Sequence, residues 1–301
     1  MSIYAKFDLY MPDALAGALD MLAQGNGADT MALAGGTNLI GDMRAKRCRP
    51  KGVIGLGRLH ELRGIDSNLE RISIGGSTTV SDLLASPDIA TGAPSLVDAA
   101  RRFAGQMVRN VATVAGNIAC GSPAADLVPP LMSLDAEITL TCKSGSRTVP
   151  IDQYFHGYKQ DARRHDELIT GISWPRLPTG SSNVFYKVAR RQGDAITITG
   201  IAVTLCVTGG KCERARIALG SVGPMVVRAR NAEAMLEGHV LTAAIINAAA
   251  VQAVGECKPI DDVRASAEYR RHTVETVTRR LILQAWEKLT NTGETACPQK
   301  S

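Results

Sequence analysis

The chain has few aromatic side chains, which make up 4% of its 301 residues. Single-stranded nucleic acids bind largely by stacking their bases on such side chains, so little material for a nucleic-acid surface is present. No apolar run reaches the roughly 20 residues of a membrane-spanning helix. The N-terminal residues, Met1 to Asp8, lack the apolar segment of a signal peptide. We therefore expect a cytoplasmic protein with no nucleic-acid partner and no membrane span.

Paired cysteines are also missing. The seven cysteines are odd in number and include no Cys-x-x-Cys pair. Zinc sites, iron–sulfur clusters and disulfide frameworks use such pairs, so none of these is expected on this chain. The histidines do not cluster with cysteines or carboxylates, and no Gly-x-Ser-x-Gly motif supplies a nucleophile. The sequence predicts neither a metal site nor a catalytic side chain of its own.

A glycine turn is the first feature that points to a ligand. An apolar segment beginning at Met31 runs into Gly35 and Gly36, followed by Thr37 and Asn38. Glycine lets a ligand approach the main chain, and successive N–H groups in such a turn form a nest for an anion. The turn matches neither the G-x-G-x-x-G fingerprint nor the P-loop. Taken alone, it fits an ordinary strand-to-helix turn better than a binding site.

A second turn lies within residues 108–130, which are rich in small side chains and almost uncharged. A surface loop is normally more polar, whereas small residues let a flat, bulky ligand lie against the backbone. A tightly packed internal connection is the alternative interpretation. Asp126 is the only acid of this stretch and a candidate partner for hydroxyl groups. Two such turns and one acid suit a ligand with two phosphates and a polyol, such as FAD.

The third candidate segment runs from Tyr186 to Asp194 and carries Lys187, Arg190 and Arg191. One interpretation is an exposed basic strand end followed by a turn. The other places the Lys187 ammonium near the polar edge of a bound ring, or the arginines against an acidic neighbour. A positive charge near the ring would stabilise an anionic reduced flavin. The residues alone leave both interpretations open.

Hydrophobic periodicity predicts a mixture of helices and strands, with a proline- and glycine-containing linker at 175–182. Before the linker, the first glycine turn falls at the carboxyl end of a strand, where open α/β sheets bind ligands. Helices are predicted at 12–24, 79–84, 95–104, 229–236, 242–254 and 269–289. Strands are predicted at 31–34, 53–56, 71–76, 137–141, 147–150, 168–175, 184–188, 196–207 and 214–220.

The order of these motifs resembles the FAD-binding medium subunits of molybdenum hydroxylases, the carbon monoxide dehydrogenase, xanthine dehydrogenase and 4-hydroxybenzoyl-CoA reductase group. The resemblance covers essentially the whole chain, and several motifs in the family's order are more specific than any one alone. The matching segments are Ala34 to Leu39, Gln106 to Ile118, Ser122 to Leu127, Lys187 with Arg190, Arg191 and Asp194, and Tyr269 to His272 before a final helix with Arg279 and Arg280.

The resemblance implies an α+β fold, in which a two-subdomain FAD-binding region precedes a C-terminal domain of antiparallel sheet plus helices. The expected FAD-binding domain spans residues 1–176, with subdomains of about 1–60 and 61–176. The expected C-terminal flavoprotein domain spans 183–290, and 291–301 form a tail.

The resemblance also implies where FAD binds: in extended form between the two N-terminal subdomains, with the C-terminal domain approaching the ring. Residues 33–38 and 113–117 would surround the pyrophosphate, Asp126 would meet the ribityl hydroxyls, and Lys187 would lie near the isoalloxazine. The full predicted set is Leu33, Ala34, Gly35, Gly36, Thr37, Asn38, Leu39, Ala104, Thr113, Ala115, Gly116, Asn117, Asp126, Ile169 and Lys187.

The sequence departs from the family pattern at several positions. Ala115 replaces the first glycine of a double glycine, Gly55 stands where an aspartate is usual, and Ala195 replaces a larger residue that often covers the flavin. The cysteine-bearing insertion of the 4-hydroxybenzoyl-CoA reductase branch is absent, so no additional four-iron cluster is expected.

The resemblance finally implies an electron-transfer subunit. In this family a large subunit carries molybdopterin, a small subunit carries two [2Fe–2S] clusters, and FAD on the medium subunit passes electrons to an external acceptor. A dimer of such heterotrimers is the expected assembly. Two alternatives stay open: a non-catalytic scaffold that has lost FAD, for which Ala115 and Ala195 would be signs, and a stand-alone flavin oxidoreductase.

Overall fold

The computed structural model describes residues 5–25, 29–191 and 193–294. These residues form an α+β fold with three separate hydrophobic cores, which confirms the predicted fold class. Within the described ranges, no helix combines the length and the apolarity that crossing a membrane requires. Of the predicted tail, residues 295–301 lie outside the described residues.

The first region is a small parallel sheet with two helices. Its elements are β1 (Asp8–Tyr10), α1 (Leu15–Gln24), β2 (Thr30–Leu33), α2 (Leu39–Arg44) and β3 (Gly52–Gly55), with the strand order β1-β3-β2. Helix α1 buries Ala18, Leu19 and Leu22 in the core that contains Ile54. Because the strands are parallel, their carboxyl ends share one edge, and the glycine turn after Leu33 lies at that edge.

The second region is built on an antiparallel sheet with the order β4-β5-β10-β6-β7, accompanied by a two-stranded hairpin. The strands are β4 (Ile65–Ser67), β5 (Arg71–Gly75), β6 (Glu137–Cys142), β7 (Gly145–Pro150), β8 (Phe155–Gly157), β9 (Gln160–Asp161) and β10 (Leu168–Pro175). The helices are α3 (Val80–Ala85), α4 (Pro87–Gly92), α5 (Pro94–Arg101), α6 (Gln106–Arg109), α7 (Val114–Ala119), α8 (Val128–Ser133) and α9 (Ile151–Tyr154). Trp174 and Tyr154 are fully buried in its core.

The third region is an antiparallel meander covered by helices. Its elements are β11 (Ser181–Val188), β12 (Thr199–Thr208), β13 (Lys211–Gly220), β14 (Val227–Arg228), α10 (Arg230–Leu236), α11 (Ala243–Gly255) and α12 (Ala267–Glu294). Phe185 of this sheet belongs to the core of the second region. The buried Asn183 accepts a hydrogen bond from the Ser95 N–H at 2.9 Å and donates to the Thr204 hydroxyl at 2.6 Å, which ties the third region to α5.

Local capping explains where several helices begin. Helix α3 begins with a capping box: the Asp82 N–H donates to the Thr79 hydroxyl, and the Thr79 N–H donates to the Asp82 carboxylate. Helix α12 begins two residues before the predicted start, because the Ser266 hydroxyl accepts from the Tyr269 N–H at 3.1 Å. The short helices α6 and α7 within 106–119 have too few residues for a periodic signal, and periodicity alone did not predict them.

Candidate functional site

A cleft of about 860 Å³ lies between the first region and the second. This volume falls within the roughly 300–1,000 Å³ of small-molecule and cofactor sites. All the predicted site residues except Asp126 and Lys187 line it; these are Leu33, Ala34, Gly35, Gly36, Thr37, Asn38, Leu39, Ala104, Thr113, Ala115, Gly116, Asn117 and Ile169. The structure thus brings the two small-residue turns, far apart in sequence, into one cleft.

The first wall of the cleft is the turn after β2. Gly36 adopts a left-handed backbone with φ of +71°, which glycine reaches without steric cost. Within the described residues, the N–H groups from Gly35 to Asn38 have no hydrogen-bond acceptor. Backbone N–H groups left open in such a turn are suited to an anion.

Gly35 joins this wall to the second one. A Cβ placed on Gly35 would lie 1.8 Å from the carbonyl oxygen of Val111, a backbone atom that cannot rotate away. The glycine turn and the loop before α7 are therefore in direct main-chain contact. The requirement for glycine comes from this contact between two regions and goes beyond what an ordinary turn needs.

The second wall is the N-terminal turn of α7. The Thr113 hydroxyl caps it by accepting from the Gly116 N–H at 3.0 Å. Asn117 accepts from the Leu127 N–H at 3.2 Å, which fixes the chain that follows. Ala115 lies inside α7 with a helical backbone, so its methyl group causes no backbone strain where the family pattern has glycine.

The other two departures from the family pattern are Gly55 and Ala195, and the structure shows what surrounds each of them. A Cβ on Gly55 would lie 2.3 Å from the Met11 sulfur, so a larger residue at 55 requires Met11 to move. Next to Ala195, the carboxylate of Asp194 lies close to Gly105, whose added Cβ would be 3.2 Å from Oδ1. The turn that carries Ala195 therefore lies beside Gly105, which directly follows the cleft-lining residues Phe103 and Ala104.

Asp126 and Lys187 lie outside the cleft lining and bind each other. Lys187 Nζ donates to Asp126 Oδ2 at 2.6 Å, and the Thr197 hydroxyl donates to Oδ1. Both residues are buried. Burial raises the pKa of Asp126, and the Lys187 charge opposes that shift. Lys187 also donates to the Arg102 carbonyl at 3.1 Å, next to cleft residues 103 and 104. Their roles toward a flavin stay predictions.

The charged end of the cleft was not predicted from the sequence. Its lining includes the basic side chains of Arg47, Lys159, Arg163, Arg164 and His165, together with the acids Asp42 and Glu167. Four of the basic residues fall between β8 and β10, where a loop would normally be read as a solvated surface. The cluster of cations in 159–165 was the available signal, but the hairpin that folds it toward the cleft was not predicted.

Glu167 holds this basic loop in place. Its buried carboxylate accepts from Arg147 Nε at 2.7 Å and from the Arg164 N–H at 2.7 Å, and it pairs with the Arg164 guanidinium at 3.0 Å. The hydrogen bond from Arg147 is the main cause that lowers the pKa of Glu167. The lining basic residues next to it are thus fixed by a carboxylate that stays ionised at neutral pH.

Glu167→Gln is expected to lower the free energy of unfolding at neutral pH by about 2 kcal/mol, because charged hydrogen bonds to both arginines are lost. The pKa of Glu167 is depressed in the folded state. Its stabilisation is therefore complete above the unfolded pKa of roughly 4.3 and is lost as the pH falls through the folded pKa.

Thermal unfolding midpoints measured from neutral pH down to about pH 3 test this prediction. The variant should lose part of the acid-induced destabilisation that the natural protein shows. Asp13→Asn is the matched control, since Asp13 forms an exposed pair with Arg58 at 3.3 Å. An unchanged pH dependence in Glu167→Gln would contradict the assigned role.

Two family models match this chain. Residues 5–177 match the FAD binding domain in molybdopterin dehydrogenase, and residues 184–285 match the CO dehydrogenase flavoprotein C-terminal domain. The first match contains both walls of the cleft. The second contains Lys187 and all of the β11–β13 meander except the first three residues of β11.

Two relatives are similar to this chain over nearly their whole length. The carbon monoxide dehydrogenase medium chain of Hydrogenophaga pseudoflava is 31% identical over 283 residues, which are 94% of this chain and 98% of the relative. The xanthine dehydrogenase FAD-binding subunit of Escherichia coli O157:H7 is 31% identical over 278 residues, which are 90% of this chain and 93% of the relative.

The fold is also that of solved structures. The carbon monoxide dehydrogenase from Hydrogenophaga pseudoflava that lacks the Mo-pyranopterin moiety of its cofactor superimposes with a TM-score of 0.91 at 33% identity, over 95% of this chain and 99% of that one. Quinoline 2-oxidoreductase from Pseudomonas putida 86 superimposes with a TM-score of 0.88 at 26% identity, over 96% and 99% of the two chains. The chain belongs to the FAD-binding medium subunits of the molybdenum hydroxylases and is an oxidoreductase subunit of that family.

Proposed function

We propose that this chain is the electron-transfer flavoprotein subunit of a multi-subunit molybdenum hydroxylase. It would receive electrons from [2Fe–2S] clusters on a small partner subunit and deliver them to an external acceptor. A large partner subunit would carry molybdopterin and oxidise the substrate. The names of the relatives support this assignment, since they include medium chains of carbon monoxide and xanthine dehydrogenases.

The residues of the cleft fit FAD. The open N–H groups from Gly35 to Asn38 would bind the pyrophosphate, and the Thr113 to Asn117 segment would bracket it from the other wall. Ala104 and Ile169 would line the remainder of the cofactor. The basic side chains at the charged end would add positive potential toward phosphate groups. FAD, when bound, supplies the redox chemistry, and the chain supplies binding, orientation and electrostatics.

Lys187 would act on this site without lining the cleft. Its ammonium group is held between Asp126 and the Arg102 carbonyl, so the charge is fixed next to residues 103 and 104. A fixed positive charge near the ring would stabilise an anionic reduced flavin. The Asp126 carboxylate accepts hydrogen bonds from Lys187 and Thr197 and would set the position of Lys187. The same carboxylate would lie near the ribityl hydroxyls.

The observation that carries the proposal is the main-chain contact of Gly35 with Val111 beside N–H groups that no part of the described chain uses. A scaffold that had lost FAD would have no need to keep such donors open or such a contact free of side chains. Ala115, which was a possible sign of lost binding, has a backbone that accepts its methyl group.

The complex purified with its partner subunits should contain close to one FAD per copy of this chain. Flavin released by denaturation is identified as FAD or FMN by mass and counted against the protein. Anaerobic titration with dithionite, followed by flavin absorbance and by the electron paramagnetic resonance of the clusters, shows whether both kinds of centre are present and take up electrons. The mass of the intact complex tests the dimer of heterotrimers.

Two results would contradict the proposal. A complex without flavin, from cells that supply enough of it, would favour the scaffold. Turnover of the chain alone with an added reductant and acceptor, at the rate of the complex, would favour a stand-alone flavin oxidoreductase.

A further inference from the structure

Three consecutive carbonyl oxygens near the cleft are all bound by cationic side chains. The Arg102 carbonyl accepts from Lys187 Nζ at 3.1 Å. The Phe103 and Ala104 carbonyls both accept from Arg109 Nη1, at 2.9 and 2.7 Å. Phe103 and Ala104 line the cleft, whereas Arg109 and Lys187 do not. We call residues 102–104 the wall segment.

The wall segment is strained. Ala104 has a φ of +35°, in the left-handed region that an L-residue with a Cβ avoids. The steric penalty for such a backbone corresponds to roughly a tenfold bias of the conformational population. Strained residues of this kind persist only where their surroundings impose the conformation, and they are found at ligand sites.

Helix α6 explains how Arg109 reaches these carbonyls. Gly105 precedes this single turn, and its carbonyl accepts from the N–H groups of Val108 and Arg109 at 3.1 and 3.0 Å. The turn brings the Arg109 guanidinium back over the residues that precede Gly105. Among the described residues, its hydrogen bonds go to the two wall carbonyls, and it forms no ion pair with a carboxylate there.

We propose that Arg109 is a positioning residue for the cofactor. Arg109 holds Ala104 in its left-handed conformation, and the buried Lys187 fixes the Arg102 carbonyl. The wall segment therefore has its cofactor-binding shape before FAD binds. This inference rests on the proposed function, since it concerns how that same cleft is prepared for FAD. Arg109 acts through the wall segment and does not itself line the cleft.

The strain makes the role of Arg109 separable from general folding. Without the guanidinium, the wall segment would relax, and FAD binding would have to restore the left-handed backbone. Ala104→Gly removes the steric penalty, so the wall segment with glycine at position 104 would adopt the same backbone without Arg109. If Arg109 only stabilised the fold, its loss and the glycine substitution would act independently.

The test compares Arg109→Met, Ala104→Gly and the double variant in the purified complex. After removal of FAD, its dissociation constant is measured from the change in flavin fluorescence on rebinding. Arg109→Met should weaken binding about tenfold, and in the Ala104→Gly background the same substitution should cost less than about threefold. Arg109→Lys, which keeps one cationic donor, should recover part of the affinity.

Arg101→Met is the matched control, since Arg101 is exposed on α5 and only approaches Asp98 at 3.9 Å. Additive effects of Arg109→Met and Ala104→Gly, or a lowered melting temperature of Arg109→Met with unchanged FAD affinity, would overturn the positioning role. A natural complex that binds no FAD would instead overturn the proposed function, and this inference with it.

Discussion

Gly35→Ala is expected to abolish the retention of FAD. The added Cβ would meet the Val111 carbonyl oxygen at 1.8 Å, about half of a normal contact between carbon and oxygen. Neither backbone can yield by a side-chain rotation, so the two walls of the cleft must separate. Because the binding groups are divided between these walls, a shift of about 1 Å is enough to misplace them.

Two other glycines provide a graded series with the same substitution. Gly36→Ala places a Cβ 3.2 to 3.3 Å from movable side chains, and its cost of about 1 kcal/mol comes from the left-handed backbone. Gly41→Ala, inside α2, meets nothing within 4 Å. FAD content after gel filtration should therefore fall sharply for Gly35→Ala, moderately for Gly36→Ala and not at all for Gly41→Ala.

The same samples report whether the fold survives. Circular dichroism of Gly35→Ala should retain the helix and strand content of the natural protein, since each region has its own core. FAD retention by Gly35→Ala equal to that of Gly41→Ala would show that the walls can move apart without effect on the site. The divided cleft would then be the wrong account of binding.

The local pattern of the sequence predicted each half of this cleft but not their contact. The glycine pair after an apolar strand segment indicated that another group approaches the main chain closely, because glycine is required where a side chain has no room. That the nearest atom is the Val111 carbonyl depends on how the first region packs on the second. Such a contact leaves no trace in the spacing of either segment.

The charged loop and the strained wall could not be predicted for related reasons. Arginines between two strands usually face solvent, and only the β8–β9 hairpin turns Arg163 and Arg164 toward the cleft. Ala104 gives no signal, because a left-handed residue is expected to be glycine or asparagine. In both cases side-chain hydrogen bonds, from Arg147 to Glu167 and from Arg109 to the Ala104 carbonyl, impose a conformation that the local residue types do not indicate.

Asp126 and Lys187 were both predicted from the family resemblance as residues that contact the cofactor. The structure adds that they contact each other, across 61 positions of the chain, and that both are buried. A pattern of residue types cannot show this pairing, since either side chain alone is compatible with an exposed role. Breaking this ion pair should therefore destabilise the fold, and that loss of stability can be measured separately from any effect on the flavin.

Lys187→Met is expected to lower the free energy of unfolding by about 3–5 kcal/mol at neutral pH, because it leaves the Asp126 carboxylate buried without its counter-charge. The Lys187 side chain is only 4% exposed and that of Asp126 only 10%, so water cannot replace the lost partner. The double variant Lys187→Met/Asp126→Asn should recover part of this loss, since no charge is then buried. Thermal unfolding midpoints of the complex give the comparison.

The pH dependence of this variant distinguishes a buried charge from simple loss of packing. Burial already raises the pKa of Asp126, and Lys187 is the largest opposing influence, so its removal should raise that pKa further. In the unfolded chain Asp126 ionises at roughly pH 3.9, below its pKa in the folded variant. The stability of the variant therefore falls as the pH rises from the unfolded to the folded pKa. The deficit of Lys187→Met should therefore shrink as the pH is lowered through that window, while a deficit caused by packing alone would stay constant. Lys51→Met, which removes an exposed partner of Asp29 at 2.8 Å, should show no measurable deficit at any pH.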